Sequence, residues 1–172
     1  MARILSLRTR LALLAVLAAC RSASAQAVQR RSALILEKRG SIGQLSVGTK
    51  IDSVGGELHR VRGQPGIYQS SDGALQVEAD TSGSITKIRI LSGNFLTTRL
   101  IRPGRSTLKD VLSSYGRPAA LAVRGGELIV SYDGIEFGFP YQKPGALSEA
   151  DFGQLLQVPV RAITLTRTRS KP

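Results

Sequence analysis

The chain has 172 residues, with 24 Lys and Arg against 12 Asp and Glu, one His, one Cys and no Trp. That length allows one ordinary domain or two very small ones. An apolar content of 42% excludes both a fully disordered chain and a polytopic membrane protein. A lone cysteine excludes an intrachain disulfide framework, and a lone histidine excludes most His-based metal centres.

Residues 1–25 read as an export signal. Arg3, Arg8 and Arg10 form a positive start, and Leu11 to Ala19 is an apolar run of nine residues. Nine helical residues span about 13 Å, against about 30 Å of hydrocarbon in a bilayer, so the run is too short for an ordinary transmembrane helix. Two processing sites compete. Leu17-Ala18-Ala19-Cys20 resembles a bacterial lipobox, with cleavage after residue 19 and acylation of the Cys20 thiol. Ala23-Ser24-Ala25 before Gln26 resembles an ordinary small-x-small cleavage site. Because the sole cysteine stands at the lipobox position, lipidation of Cys20 is the expected outcome.

Residues 26–40 read as a basic linker and first strand. The charge is concentrated at the two ends. Residues 41–160 hold 12 basic and 11 acidic side chains, whereas 161–172 hold Arg161, Arg167, Arg169 and Lys171 with no acid. The body is therefore almost neutral, and nucleic acid is not an expected partner. Basic ends beside a membrane suit anionic headgroups.

Residues 41–103 read as a first α+β unit. Gly48-Thr49-Lys50-Ile51-Asp52-Ser53-Val54 opens a helix candidate that Gly63-Gln64-Pro65 closes, although Gly55 and Gly56 weaken it. Asp72-Gly73 then joins two short strands. A third strand, Ile85 to Ile90, folds back to pair Ala79 with Thr86, Val77 with Ile88 and Leu75 with Ile90 on an apolar face. Glu78 with Lys87, and Gln76 with Arg89, fall on a charged face. The result is a sheet with one solvated side.

Residues 104–166 read as a second unit, with an insertion at 142–159. Ser106 or Thr107 caps Leu108–Tyr115, whose Leu108, Val111, Leu112 and Tyr115 share one side, and Gly116 and Pro118 end it. Asp133-Gly134 is a two-residue hairpin signal in which both residues are expected at φ > 0. Pairing about it sets Tyr132 against Ile135, Val130 against Phe137 and Leu128 against Phe139, with Ser131 against Glu136 on the other face. Gly125-Gly126 reads as a turn. In the insertion, Ser148-Glu149-Ala150-Asp151 marks a helix start, and Phe152, Leu155 and Leu156 form its apolar stripe, as a lid or as a packing patch. Residues 167–172 are a basic tail.

Aligned, the halves repeat the order helix, Gly-x-Pro, hairpin, strand at a period of roughly 55–75 residues. The expected fold class is therefore α+β, with two tandem repeats of a helix, an antiparallel hairpin and a further strand. Neither unit buries enough alone, so the two share a core or form one continuous sheet. Gly104-x-x-Thr107-Leu108…Val111…Tyr115-Gly116-x-Pro118 and Tyr132-x-Gly134-Ile135-x-Phe137 resemble the exported SmpA/OmlA (BamE-type) lipoproteins and the β-lactamase-inhibitor-protein-like fold. The first resemblance implies an outer-membrane lipoprotein that aids β-barrel assembly. The second implies an inhibitor presenting a concave sheet, but the disulfides of that pattern are absent here.

The chemistry is sparse. His59, in Leu58-His59-Arg60-Val61-Arg62, is expected at a helix C-terminus, where its partial positive charge is welcome. No Gly-x-Ser-x-Gly elbow, carboxylate cluster or Gly-rich phosphate loop is present, so neither a catalytic set nor a cofactor is expected. Tyr68, Arg89 and Glu136 are the candidate binding residues. The expectation is a non-catalytic, exported, lipid-anchored envelope protein that binds another protein or an envelope polymer. The alternatives are a β-barrel assembly accessory and an inhibitor of an exported hydrolase.

Overall fold

The computed structural model describes residues 33–54, 58–92, 94–143 and 147–167. The expectations for the leader, for Cys20 and for most of the basic tail lie outside these residues. In chain order the elements are β1 (Ala33–Leu36), a 3₁₀ turn (Glu37–Arg39), β2 (Ser41–Ile42), β3 (Leu45–Ser46), a second 3₁₀ turn (Ile51–Ser53), β4 (Leu58–Arg60), β5 (Ile67–Ser70), β6 (Leu75–Ala79), β7 (Ile85–Ile90) and β8 (Phe95–Thr97). Helix α1 (Leu108–Tyr115), β9 (Ala120–Arg124), β10 (Glu127–Tyr132), β11 (Ile135–Pro140), helix α2 (Glu149–Leu155) and β12 (Ala162–Thr166) complete the chain.

This architecture corrects the expected fold class. The described residues are β-rich, with twelve strands in two sheets and only two α-helices. The order in the large sheet is β4-β5-β6-β7-β12-β11-β10-β9, so two four-stranded meanders meet through their last strands. The small sheet runs β3-β2-β1-β8, with β1 parallel to β8. Helix-plus-hairpin units fail for two reasons. First, the helix expected after Gly48 is only the turn Ile51–Ser53. Its backbone is committed to the start of β7 instead: Ile51 N–H donates to Gly83 O at 2.8 Å, and Ile85 N–H donates to Thr49 O at 2.8 Å. Second, each meander has a fourth strand. Leu58–Arg60, expected in the helix, pairs with β5 as β4. Ala120–Arg124 pairs with β10 as β9 through the two-residue turn Gly125-Gly126, at φ +54° and +77°.

The expected hairpin registers are found at nearly every position. Leu128, Val130 and Tyr132 oppose Phe139, Phe137 and Ile135, and Ser131 opposes Glu136. Gly134 takes φ +75°, but Asp133 is not in the left-handed region, so only one turn residue needs it. In the first meander Leu75, Gln76, Val77 and Glu78 oppose Ile90, Arg89, Ile88 and Lys87. Ala79 opposes Ile85 instead of Thr86, through a bulge at Glu78/Ala79. The bulge has a local cause. Ala79 N–H donates to Gly66 O, and Gly66, at φ +76°, lies so close that a Cβ there would stand 2.6 Å from Ala79 O.

Strand alternation puts Val77, Ile88, Ile90, Ile163, Leu165, Phe137, Phe139, Leu128 and Val130 on the inner face of the large sheet, all fully buried. Helix α1 covers this face with Leu108 and Val111, α2 with Leu155, and the small sheet with Ile35, Ile42 and Leu45. The apolar stripe of the insertion thus joins the core. Helix α1 starts at a capping box: Thr107 Oγ1 accepts from Asp110 N–H at 3.3 Å, and Asp110 Oδ2 accepts from Thr107 N–H at 2.8 Å. Tyr115, Tyr132 and Phe137 form an aromatic cluster with centroids 5.0–6.0 Å apart.

Candidate functional site

With the inner face buried, the outer face of the large sheet is left for contact. Its residues are the alternate ones: Gln76 and Glu78 on β6, Lys87 and Arg89 on β7, Thr164 on β12, Glu136 and Gly138 on β11, and Glu127, Ile129 and Ser131 on β10. At its centre lies a hollow of about 420 Å³, lined by Lys87, Arg89, Arg124, Glu127, Glu136 and Arg161 among others.

The hollow is organised by Glu127, which is 7% exposed. Arg89 Nη2 donates to both of its carboxylate oxygens, at 2.8 and 2.7 Å. Arg161 Nε approaches from the other side at 3.5 Å. Three strand spacings separate β7 from β10, ~14 Å on a flat sheet, and the two residues are also offset along their strands. The contact therefore requires a face curved toward solvent. It also requires small residues between the partners. Gly138 and Ala162 stand opposite one another there, and a Cβ on Gly138 would meet Glu127 Oε2 at 3.3 Å. Arg89 Nε is buried without a hydrogen-bond partner, so this guanidinium is held by one end.

The rest of the lining is looser. Lys87 and Glu78 pair at 2.9 Å, each more than a third exposed, so their bridge contributes at most about 1 kcal/mol. Glu136 accepts from Ser131 Oγ at 3.2 Å. Arg124 is exposed, and the Arg161 side chain is 60% exposed. Chemically the hollow offers fixed, alternating charge on strands, suited to polar groups of complementary sign.

Of the sequence-derived candidates, Arg89 and Glu136 come together on this face, both opposite Thr164. Tyr68 does not join them. It pairs with the fully buried Val77 and packs against the core, on the opposite side of the sheet. His59 lies on β4 and not at a helix end, with its Nε2 2.9 Å from Ser71 Oγ, at the sheet edge farthest from β9. Glu127, Arg161, Arg124 and Gly138 were missed. A glutamate opening a mostly apolar strand, and a glycine inside its partner strand, were the signals that could have found them. Among the described residues no group of three or more His, Cys, Asp or Glu could hold a metal ion.

No family model matches the chain, and neither does any curated protein. Among solved structures it is similar to the uncharacterized protein yfeY from Escherichia coli, at 16% identity and a TM-score of 0.52, covering 75% of this chain and 97% of that one. It is also similar to a DUF4309 family protein (YjgB) from Bacillus subtilis, at 13% identity and a TM-score of 0.41, covering 77% of this chain and 90% of that one. The first likeness is one of fold alone.

Proposed function

We propose that this chain is a non-catalytic, exported binding module of the cell envelope, anchored through acylated Cys20. In this reading the outer hollow of the large sheet takes another protein or an envelope polymer. One observation carries it: Arg89 reaches across the sheet to a buried Glu127 over two small residues, Gly138 and Ala162. That contact keeps an open, charged depression in shape before any partner arrives. Arg124 and most of Arg161 face solvent at its mouth, ready for acidic groups on a partner. An enclosed apolar pocket would suit a small ligand better. His59 sits at the far edge of the sheet, bonded to Ser71, so the sole imidazole is not beside the carboxylates of the hollow.

A photoreactive amino acid in place of Arg124, in the full chain expressed in cells, tests the site. The expected result is a discrete envelope adduct that disappears when Gly138→Leu fills the hollow. The same adduct from a probe in place of Arg62, near the opposite sheet edge, would overturn the assignment. His59-dependent turnover of a hydrolase substrate by the purified chain would overturn the non-catalytic reading. The mass of the processed N-terminus tests the anchor: a diacylglyceryl Cys20 supports it, and a chain beginning at Gln26 removes it.

A further inference from the structure

A second surface has a different character. On β1, Ile35 is fully buried while Leu34 and Leu36 are 48% and 36% exposed, so both leucines share the outer face of the small sheet. Parallel pairing sets Leu34 beside Leu96 and Ile35 beside Thr97, which brings Leu36 level with Thr98. Thr98, Arg99 and Leu100 then form a tight loop, closed by Thr97 N–H donating to Ile101 O at 3.0 Å. Leu36, Glu37, Lys38, Arg39, Thr98 and Arg99 line one groove of about 460 Å³.

Leu100 is the anomaly. It is 71% exposed, and it is the one non-glycine among the described residues with a left-handed backbone, at φ +67°. A γ-branched side chain is disfavoured there, and a solvated turn is served better by Gly or Asn. The backbone is held by Leu100 N–H donating to Thr97 O and by buried Thr97 Oγ1 accepting from Ile101 N–H. The fold thus maintains a strained turn whose effect is to project a leucine outward.

Cations share the groove with Leu36 and flank Leu100 in the chain. Lys38, Arg39 and Arg99 are exposed. The nearby acid, Glu37, is engaged through one oxygen by Thr98 N–H, Thr98 Oγ1 and Tyr115 Oη. Arg99 is fixed at the patch, its guanidinium 4.6 Å from the Tyr115 ring centroid and donating to Ser114 O. Projecting leucines beside exposed cations, one of them held in place, match a bilayer surface, where apolar tips enter the acyl boundary and cations meet anionic headgroups.

We infer that Leu34, Leu36 and Leu100, with the exposed cations Lys38, Arg39 and Arg99, form a peripheral docking patch for a membrane carrying anionic lipid. The patch lies on other strands than the hollow, goes beyond the reading above, and does not depend on acylation of Cys20.

The chain has no tryptophan, so one introduced indole is a clean reporter. Leu100→Trp and the control Leu121→Trp, on exposed edge strand β9, are made in the full chain. They are mixed with vesicles of one part phosphatidylglycerol to two parts phosphatidylcholine carrying brominated acyl chains. Any binding by the leader delivers both variants equally, and only the face turned to the lipid differs. The emission of Leu100→Trp is expected to shift to the blue and to be quenched several-fold more than that of Leu121→Trp. Lys38→Glu with Arg39→Glu, or pure phosphatidylcholine, should abolish most of the difference. Leu100→Gly, read by vesicle sedimentation, should raise Tm by relieving the turn while weakening partition about five- to tenfold. Equal quenching of the two indoles, or unchanged partition of Leu100→Gly, overturns the inference. So does a blue shift of the Leu100→Trp emission that needs a protein partner and no lipid. If Leu100→Trp does not fold, Leu34→Trp is read in the same way.

Discussion

The two meanders share a strand order and differ in what lies on them. In β10, β11 and β12, nearly every inward side chain is fully buried, beneath α1 and α2. In the corresponding middle strands β5 and β6, Val77 is the one fully buried residue and the rest are half-buried, whereas β7 buries Ile85, Ile88 and Ile90 much as β12 does, and the edge strands β4 and β9 are both largely exposed. Where the second meander is preceded by a capped eight-residue helix, the first is preceded by a three-residue turn with no side-chain cap. Strand pairing alone thus suffices to extend a sheet, but the helices decide where its stability is concentrated.

The largest effect should come from removing a large side chain on each side of this divide. Phe137 is fully buried between the aromatic cluster and the core, so Phe137→Ala should cost about 3–5 kcal/mol in denaturant unfolding. Tyr68 is half-buried on β5, and Tyr68→Ala should cost about 1 kcal/mol. Equal losses would show that the two meanders contribute alike.

Next comes the ion pair that crosses the seam between the meanders. Glu127→Ala leaves Arg89 and Arg161 facing one another over the hollow. A fully buried pair loses about 3–5 kcal/mol on such truncation. The Arg89 side chain is a third exposed, so about 2–3 kcal/mol is expected here. A double-mutant cycle with Arg89→Met should show coupling above about 1 kcal/mol. Additivity would mean that the pair does not tie β7 to β10.

How far these features were legible follows from the range over which they act. The alternation Leu128, Val130, Tyr132 dictates a register because a slip by one residue would turn the whole row outward, and that register is found. Arg89 and Glu136 were readable as members of the solvated face for the same reason. Glu127 was not, because its partner lies 38 residues away and two intervening strands must be small at that level. Tyr68 carried no such face assignment, because aromatic character does not say which face of a half-buried strand it occupies. The missing helix after Gly48 and the strand at Leu58–Arg60 reflect tertiary pairing that overrides a weak local pattern interrupted by Gly55 and Gly56. The small sheet pairs β1 with β8, some sixty residues apart and parallel, which no local period records.

A smaller effect separates the starts of the two meanders. Thr107→Ala removes one half of the capping box of α1 and should cost about 1 kcal/mol. Ser53→Ala, in the 3₁₀ turn, removes one exposed hydroxyl that donates to Lys50 O, and should change stability by less than about 0.5 kcal/mol. Thermal unfolding of the two variants side by side measures the difference.

The smallest effect is on acid behaviour, and a carboxylate from each meander shows it. In the first, the Ser82 hydroxyl and then the Ser84 N–H hold the Asp80 carboxyl below its usual range. In the second, the Lys143 ammonium and then the Ser148 hydroxyl hold Asp151 down at about 2. A carboxyl depressed in the folded state contributes stability that is fully present above its unfolded value near 3.8 and is lost as pH falls through its folded value. Lys143→Met removes the largest cause at Asp151 alone. Its carboxyl should then titrate closer to 3.8, shifting the acid transition of the α2 region upward in pH, while Asp80 titrates as before. Carboxyl-carbon NMR titration of both aspartates reads this directly. An Asp151 that titrates near 3.8 before the substitution would show that the Lys143 contact does not persist in solution, and that α2 is held by its apolar stripe and its Ser148 cap.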